Sequence, residues 1–330
     1  MAGVQGSALA IACSEVGALG SLPCAMLSVD VMRAEIAAIA AKTRRSYNVN
    51  FFCHAPPRHD TARELAWRTL LAPYYAEYGI DAEQIPSGPG RLPFSHDAAD
   101  VLEEFRPPVV SFHFGLPADD LLVRVRAWGA KVLASATTVD EAIWLARRGV
   151  DAIIAQGSEA GGHRGMFLSD DIAEQVGTFA LLPQIVRAVD VPVIAAGGIA
   201  DASGVCAAMV LGAAGVQVGT AYLLCDEATT SKVHRTALAS PAACHTELTR
   251  LFTGRPARGI VNRAMRELGA MNSAAPEFPL AVAAIAPLRA KAESLGRDDF
   301  SPLWAGQNAT GCKAVSAAEL TRELAAGLRG

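Results

Sequence analysis

Seven cysteines, at positions 13, 24, 53, 206, 225, 244 and 312, are scattered through 330 residues with no CxxC pair and no metal-ligand spacing. That scatter excludes a disulfide framework and a zinc motif, and an odd set inside apolar segments reads as reduced core thiols of a cytoplasmic protein. Positive charge is not in excess either: 29 Lys and Arg stand against 33 Asp and Glu, a formal net charge of −4. Such a balance offers no attractive field to nucleic acid or an anionic membrane. No apolar run approaches the roughly 20 residues of a membrane-spanning helix, and the first residues lack the basic, apolar and small-residue order of a signal peptide. What is left is chemistry on small molecules, in a chain long enough for one large α/β barrel or two ordinary domains.

What is present is alternation. After a loop at 1–6, Ser7 is read as the cap of a helix over 8–16, followed by a short strand at 18–22. A helix is expected at 30–41 and a strand at 47–52, then an insertion with a helix at 61–78 and a Pro/Gly-rich link at 86–93. From there strands at 108–114, 131–136, 151–156, 191–196 and 215–220 alternate with helices at 118–128, 139–148, 178–189 and 201–211. Strands and helices at this spacing predict βαβ units and a parallel sheet. Seven strands are counted. The expected fold is therefore a TIM-type (β/α)8 barrel without its first strand, over residues 1–225, with a mainly helical elaboration over 226–330. That second part has a polar centre at 246–262 and amphipathic helices at 281–295 and 317–328.

The chemistry is expected where those strands end. The stretch 151–165, DAIIAQGSEAGGHRG, is an apolar strand that breaks at Gln156 into a glycine-rich loop holding His163. Histidine exchanges a proton near neutral pH, glycines let backbone N–H groups approach a ligand, and barrels carry their sites at the carboxyl ends of strands. Two later ends, AAGGIAD at 195–201 and QVGTA at 217–221, have the form of phosphate-binding loops. Asn50 and Gln156 are neutral amides near strand ends, able both to donate and accept, as the edge of a heteroaromatic ring requires. His113 lies in an apolar run and reads as a core or pocket-lining ring, and Arg255 and Arg258 of GRPARG read as a solvated basic turn.

These residues carry a resemblance. NVNFFCH at 48–54, VSFHFG at 110–115, AQGSEAGGHRG at 155–165, AAGGI at 195–199, QVGT at 217–220, GRPARG at 254–259 and WAGQ at 304–307 resemble the class I nitronate monooxygenases, FMN enzymes of TIM-barrel type. The resemblance implies FMN contacts at Asn50, Gln156, Gly161, Gly198, Gln217, Val218, Gly219 and Thr220, and makes His163 the active-site histidine. It implies oxidation of alkyl nitronates, such as propionate 3-nitronate, with O2 to a carbonyl compound and nitrite. An FMN-dependent NAD(P)H:quinone or enoyl reductase, or a flavin-binding protein without turnover, is the alternative reading. Members of the family begin with an apolar strand ending in Pro-Met, and Met1 aligns with that methionine, so a further strand is expected upstream of this chain.

Overall fold

The computed structural model describes residues 1–85 and 91–329; most of the link expected at 86–93 lies outside the described residues. The strands in chain order are β1 (Gly20–Pro23), β2 (Tyr47–Phe52), β3 (Val109–His113), β4 (Lys131–Ala136), β5 (Ala152–Gln156), β6 (Gly162–His163), β7 (Val193–Ala196), β8 (Gly215–Gln217), β9 (Thr246–Thr249) and β10 (Ala257–Ile260). Seven of them form one curled sheet in the order β1-β2-β3-β4-β5-β7-β8, with every pair parallel. The α/β alternation expected from the sequence is the observed one.

Side chains alternate across a strand with period two, and here the two faces have different work. Val49, Phe51, Val110, Phe112, Val132, Ala134, Ile153, Ala155, Val193 and Ala195 pack beneath the surrounding helices. On the other face Leu133, Ala152, Ile154 and Ala196, with Val109 and Ile194, form a separate apolar cluster. Continuing that inner face toward the carboxyl ends gives Asn50, Phe52, His113, Ser135, Gln156 and Gln217. The polar residues of the strands therefore converge at one end of the sheet.

The helices begin and end for local reasons. Asp60 accepts from the Arg63 N–H to cap Thr61–Tyr78, and Gly79 closes it in a left-handed conformation, φ 65°. Ser28 caps Val29–Lys42 and Asp201 caps Ala202–Val210 in the same way. The first helix differs from expectation: Ser7 is its first residue, Gly6 is the cap residue, and the Ser7 N–H is met by the Glu35 carboxylate at 2.5 Å. A carboxylate from the next helix replaces the local cap, which no local pattern could show.

A second, antiparallel sheet, β6-β10-β9, covers the carboxyl end of the first. The loop expected around 162–163 is thus a short strand, and the polar segment of the C-terminal part is a hairpin. Behind that hairpin, Trp67, Leu71 and Tyr75 of the insertion helix share a core with Leu251, Ile285, Leu288 and Phe300. The insertion over 61–85 and the chain beyond 245 make one layer. The helix Ala317–Ala325 returns to the main sheet, where Leu320 and Leu324 pack with Leu9 and Cys13 of the helix Ser7–Glu15. At the sheet's open side, residues 1–5 run beside the exit of β8: Val4 accepts from the Thr229 N–H at 2.9 Å and Gln5 bridges to Ala228.

Candidate functional site

The exit of β5 is held by its own side chains. Gln156, 7 % exposed, accepts from the Gly165 N–H at 2.7 Å and donates to the His163 carbonyl at 3.0 Å. Arg164 is fully buried and donates to the carbonyls of Gly157 and Gln156, both at 2.7 Å, and to Gln175 Oε1 at 3.0 Å. Burial, with Arg258 adding repulsion, lowers its guanidinium to about 10, still charged at neutral pH. Glu159 accepts from the Thr178 N–H and hydroxyl and so occupies the N-terminus of the helix Thr178–Ala188. Gly161 leaves room for another segment, since a Cβ there would lie 2.5 Å from the Gly306 nitrogen.

That other segment, around 304–308, ties three strand exits together. The Gln307 N–H donates to the Glu159 carbonyl at 2.9 Å, the Gly306 N–H to Thr220 Oγ1 at 2.9 Å, and Asn308 Nδ2 to the Gly198 carbonyl at 3.0 Å. Gly161, Gly198 and Thr220, distant in sequence, thus share one neighbour.

His163, 9 % exposed, stands on β6 beside Ala257 of β10. Its ring lies among Phe52, Phe114, Phe278 and Trp304, with centroids 5.3 to 5.9 Å away. Nε2 is 2.9 Å from the hydroxyl of buried Thr253. Burial first, then repulsion from Arg91, His113, Arg255 and His54, keeps the ring's titration well below the ordinary histidine range. The imidazole is therefore neutral at pH 7.

Two more histidines line this end, also neutral. His113 donates from Nε2 to the His163 carbonyl at 3.2 Å, and its Nδ1 is 3.1 Å from the Ser135 hydroxyl. Burial lowers it to about 3, in keeping with the pocket-lining role read from the sequence. His54 donates from Nε2 to the Arg91 carbonyl at 3.1 Å, and burial lowers it too. The charge in the cluster comes from arginine. The Arg255 guanidinium stacks 4.1 Å from the Phe114 centroid and bonds to the Met166 carbonyl, and Arg91 lies 6.0 Å from the Phe278 centroid. Neither makes an ion pair among the described residues. Positive charge is thus concentrated around neutral rings, an arrangement that favours an anion.

The basic turn expected to be solvated is otherwise. Arg258 is 8 % exposed and donates to the Ser158 carbonyl at 2.9 Å, and Arg255 enters the cluster just described. Thr253, Arg91 and Phe278 had no signal in the sequence, because they reach His163 from segments remote from its loop.

The other expected residues fall in two groups. Asn50 shares the inner face with Gln156 and donates to Ser111 Oγ at 2.8 Å. Gly198, exposed and left-handed at φ 73°, and Gly219 and Thr220 follow β7 and β8. Gln217 is exposed on the inner face beside Ala196, and Val218 packs toward the core that includes Leu9 and Val205. Among the described residues the backbone N–H groups of Gly198, Ile199, Gly219 and Thr220 donate no hydrogen bond within the protein. Two surface clefts, about 430 and 370 Å3, lie outside this cluster; the larger is lined by Arg58, His59, Asp60, Thr61, Arg63, Pro276 and Glu277. Among the described residues no group of His, Cys, Asp or Glu is placed to hold a metal, and no helix is long and apolar enough to cross a membrane.

Known proteins are similar to this chain in sequence and fold. The family model described as nitronate monooxygenase matches residues 1–327. A nitronate monooxygenase of Pseudomonas aeruginosa is 41 % identical over 338 residues, covering all of this chain and 95 % of its own, and one of Paraburkholderia phytofirmans is 40 % identical, covering 98 % and 89 %. The solved nitroalkane oxidase of Streptomyces ansochromogenes superposes with a TM-score of 0.89 at 37 % identity, covering all of this chain and 94 % of that one. The family model over nearly the whole chain and relatives at 40–41 % identity show that the chain belongs to the nitronate monooxygenase family.

Proposed function

We propose that the protein is an FMN-dependent nitronate monooxygenase that oxidises alkyl nitronates with O2 to a carbonyl compound and nitrite. The observation that carries this reading is the setting of His163: a neutral imidazole in an aromatic cage beside two arginines that make no ion pair among the described residues. A nitronate is already an anion, so it supplies the charge this pocket lacks. The division of labour follows the chain. Residues 1–225 hold the cofactor on a barrel of TIM type, and the 226–330 part, joined by the 61–85 insertion, covers the substrate.

The residues present fit FMN. The N–H groups of Gly198, Ile199, Gly219 and Thr220, without a partner among the described residues, would meet its phosphate, because an anion is held by convergent backbone donors. Asn50, Gln156 and Gln217, on the inner face, would meet the ring edge, and Gly161 and Val218 would flank it. When bound, the flavin supplies the electron-accepting chemistry and the protein supplies orientation and electrostatics.

The chain's own residues then do three things. Arg255 and Arg91 stabilise the negative charge of the substrate, strengthened by the low-dielectric surroundings of Phe114 and Phe278. Phe52, Phe114, Phe278 and Trp304 exclude water from the reacting carbon. His163, being unprotonated, can accept a proton only where a neutral nitroalkane must lose one. The cytoplasmic reading is supported by seven free thiols.

An absorbance spectrum of the purified protein tests the cofactor, and adding propionate 3-nitronate under air tests the reaction. Expected are a flavin spectrum, oxygen consumption and nitrite release. Steady NADH oxidation with no nitronate turnover would overturn the reading in favour of a reductase.

A further inference from the structure

We propose that Thr253 is a positioning residue that fixes His163 in the tautomer with the proton on Nε2, leaving the Nδ1 lone pair for the substrate. Thr253 is 2 % exposed, and its hydroxyl has two neighbours: His163 Nε2 at 2.9 Å and the Arg255 carbonyl at 3.4 Å. A hydroxyl has one proton and two lone pairs. The carbonyl can only accept, and among the described residues nothing else donates to it. If the hydroxyl gave its proton to His163, the part-buried Arg255 carbonyl would lose the one donor it has among the described residues, at the cost of that hydrogen bond. If the hydroxyl donates to the carbonyl, its lone pair accepts Nε2–H and all three groups are satisfied.

Burial, with Arg91 and Arg255 among the groups that add repulsion, keeps the ring neutral, so it carries a single proton. Nδ1 makes no hydrogen bond among the described residues. With Nε2–H turned to Thr253, the nitrogen left free in the neutral ring carries a lone pair. The ring cannot easily rotate out of this arrangement. The His163 carbonyl is held by Gln156 Nε2 at 3.0 Å and His113 Nε2 at 3.2 Å, and four aromatic side chains surround the ring in tilted or edge-on contact.

This inference concerns the same histidine as the proposed function but is read out without turnover. The direct measurement is the 15N spectrum of histidine-labelled protein as purified, with His163 assigned by its loss in His163→Asn. The expected result is a neutral ring protonated at Nε2, and a mixture of tautomers in Thr253→Val. In Thr253→Ser, which keeps the hydroxyl, the wild-type tautomer should return. For a neutral nitroalkane, Thr253→Val should lower kcat/KM about ten- to a hundredfold, short of the roughly 10⁴-fold of a locked wrong tautomer, and Thr253→Ser should restore it. Rates on a preformed nitronate, which needs no base, should change less than about twofold. A wild-type ring protonated at Nδ1 overturns the proposal even if Thr253→Val does not fold. So does a Thr253→Val protein with unchanged tautomer and unchanged rates. A protein that shows the Nε2–H tautomer yet consumes no nitronate would instead overturn the proposed function and leave this assignment standing.

Discussion

The loop after β5 and the loops after β7 and β8 are all glycine-rich, yet they are in opposite states. In the first, Gln156, Glu159 and Arg164 use their polar atoms on the loop's own backbone and the next helix. In the other two, consecutive N–H groups at Gly198, Ile199, Gly219 and Thr220 are left unused among the described residues. On the proposed function the loop after β5, braced by its side chains, is the mount that presents His163, and the loops after β7 and β8 are the receptor for an anion. Glycine content alone does not tell the two apart; the use of the loop's side chains does.

The sharpest way to break that contrast is to put charge into the receptor. Gly198→Asp or Gly219→Asp places a carboxylate among the free N–H groups, and either protein should purify with almost no flavin by absorbance. A fully yellow Gly219→Asp protein would remove the phosphate from these loops. The mount is tested next. His163→Asn should keep its flavin and lose roughly 10²- to 10⁴-fold of kcat/KM on a neutral nitroalkane, with a much smaller loss on the nitronate; equal losses would leave His163 a positioning group only.

Arg164→Met sharpens the comparison from the side of stability. It orphans the buried Gln156 carbonyl and removes one of two donors from the Gly157 carbonyl, which keeps the Ala160 N–H, a loss of roughly 1–3 kcal/mol readable as a lower midpoint in urea unfolding. An unchanged midpoint would show that the loop does not need its internal bonds. A graded effect, small near neutrality, concerns pH. His113 has a folded-state value of about 3, below the roughly 6.5 of an unfolded histidine. Its stabilisation is present above about pH 6.5 and is lost as pH falls from there toward 3, at up to about 1.4 kcal/mol per pH unit. Urea curves of wild type and His113→Gln across that range should differ in slope by this amount; parallel curves would mean that His113 is not desolvated.

Legibility in the sequence followed the range of the interactions. Tyr47–Phe52, Thr61–Tyr78 and Lys131–Ala136 fall where local patterns put them, because alternation, an Asp cap and a closing glycine are read within a few residues. Ser7 was misread as a cap since its true partner, Glu35, belongs to another helix. The three-stranded sheet was missed for a similar reason: β6 has only two residues and exists because β10 lies against it. At the site, His163 and the glycines stood out as residue types. Arg255 looked like surface because its Pro/Gly-containing turn is locally that of an exposed loop. Only the packing of Phe114 beneath it reveals otherwise.

The central claim is that this pocket is built for a substrate already negative, with arginines rather than a base doing the electrostatic work. The most direct measurement is oxygen uptake by the wild-type protein with a nitronate and, separately, with its parent neutral nitroalkane at the same pH. Placing a developing imidazolium beside two cations should disfavour the neutral substrate, so kcat/KM should be higher for the nitronate by about tenfold or more, the equivalent of one pKa unit. Equal values for the two, or a preference for the neutral compound, would contradict the account and make His163 a competent base.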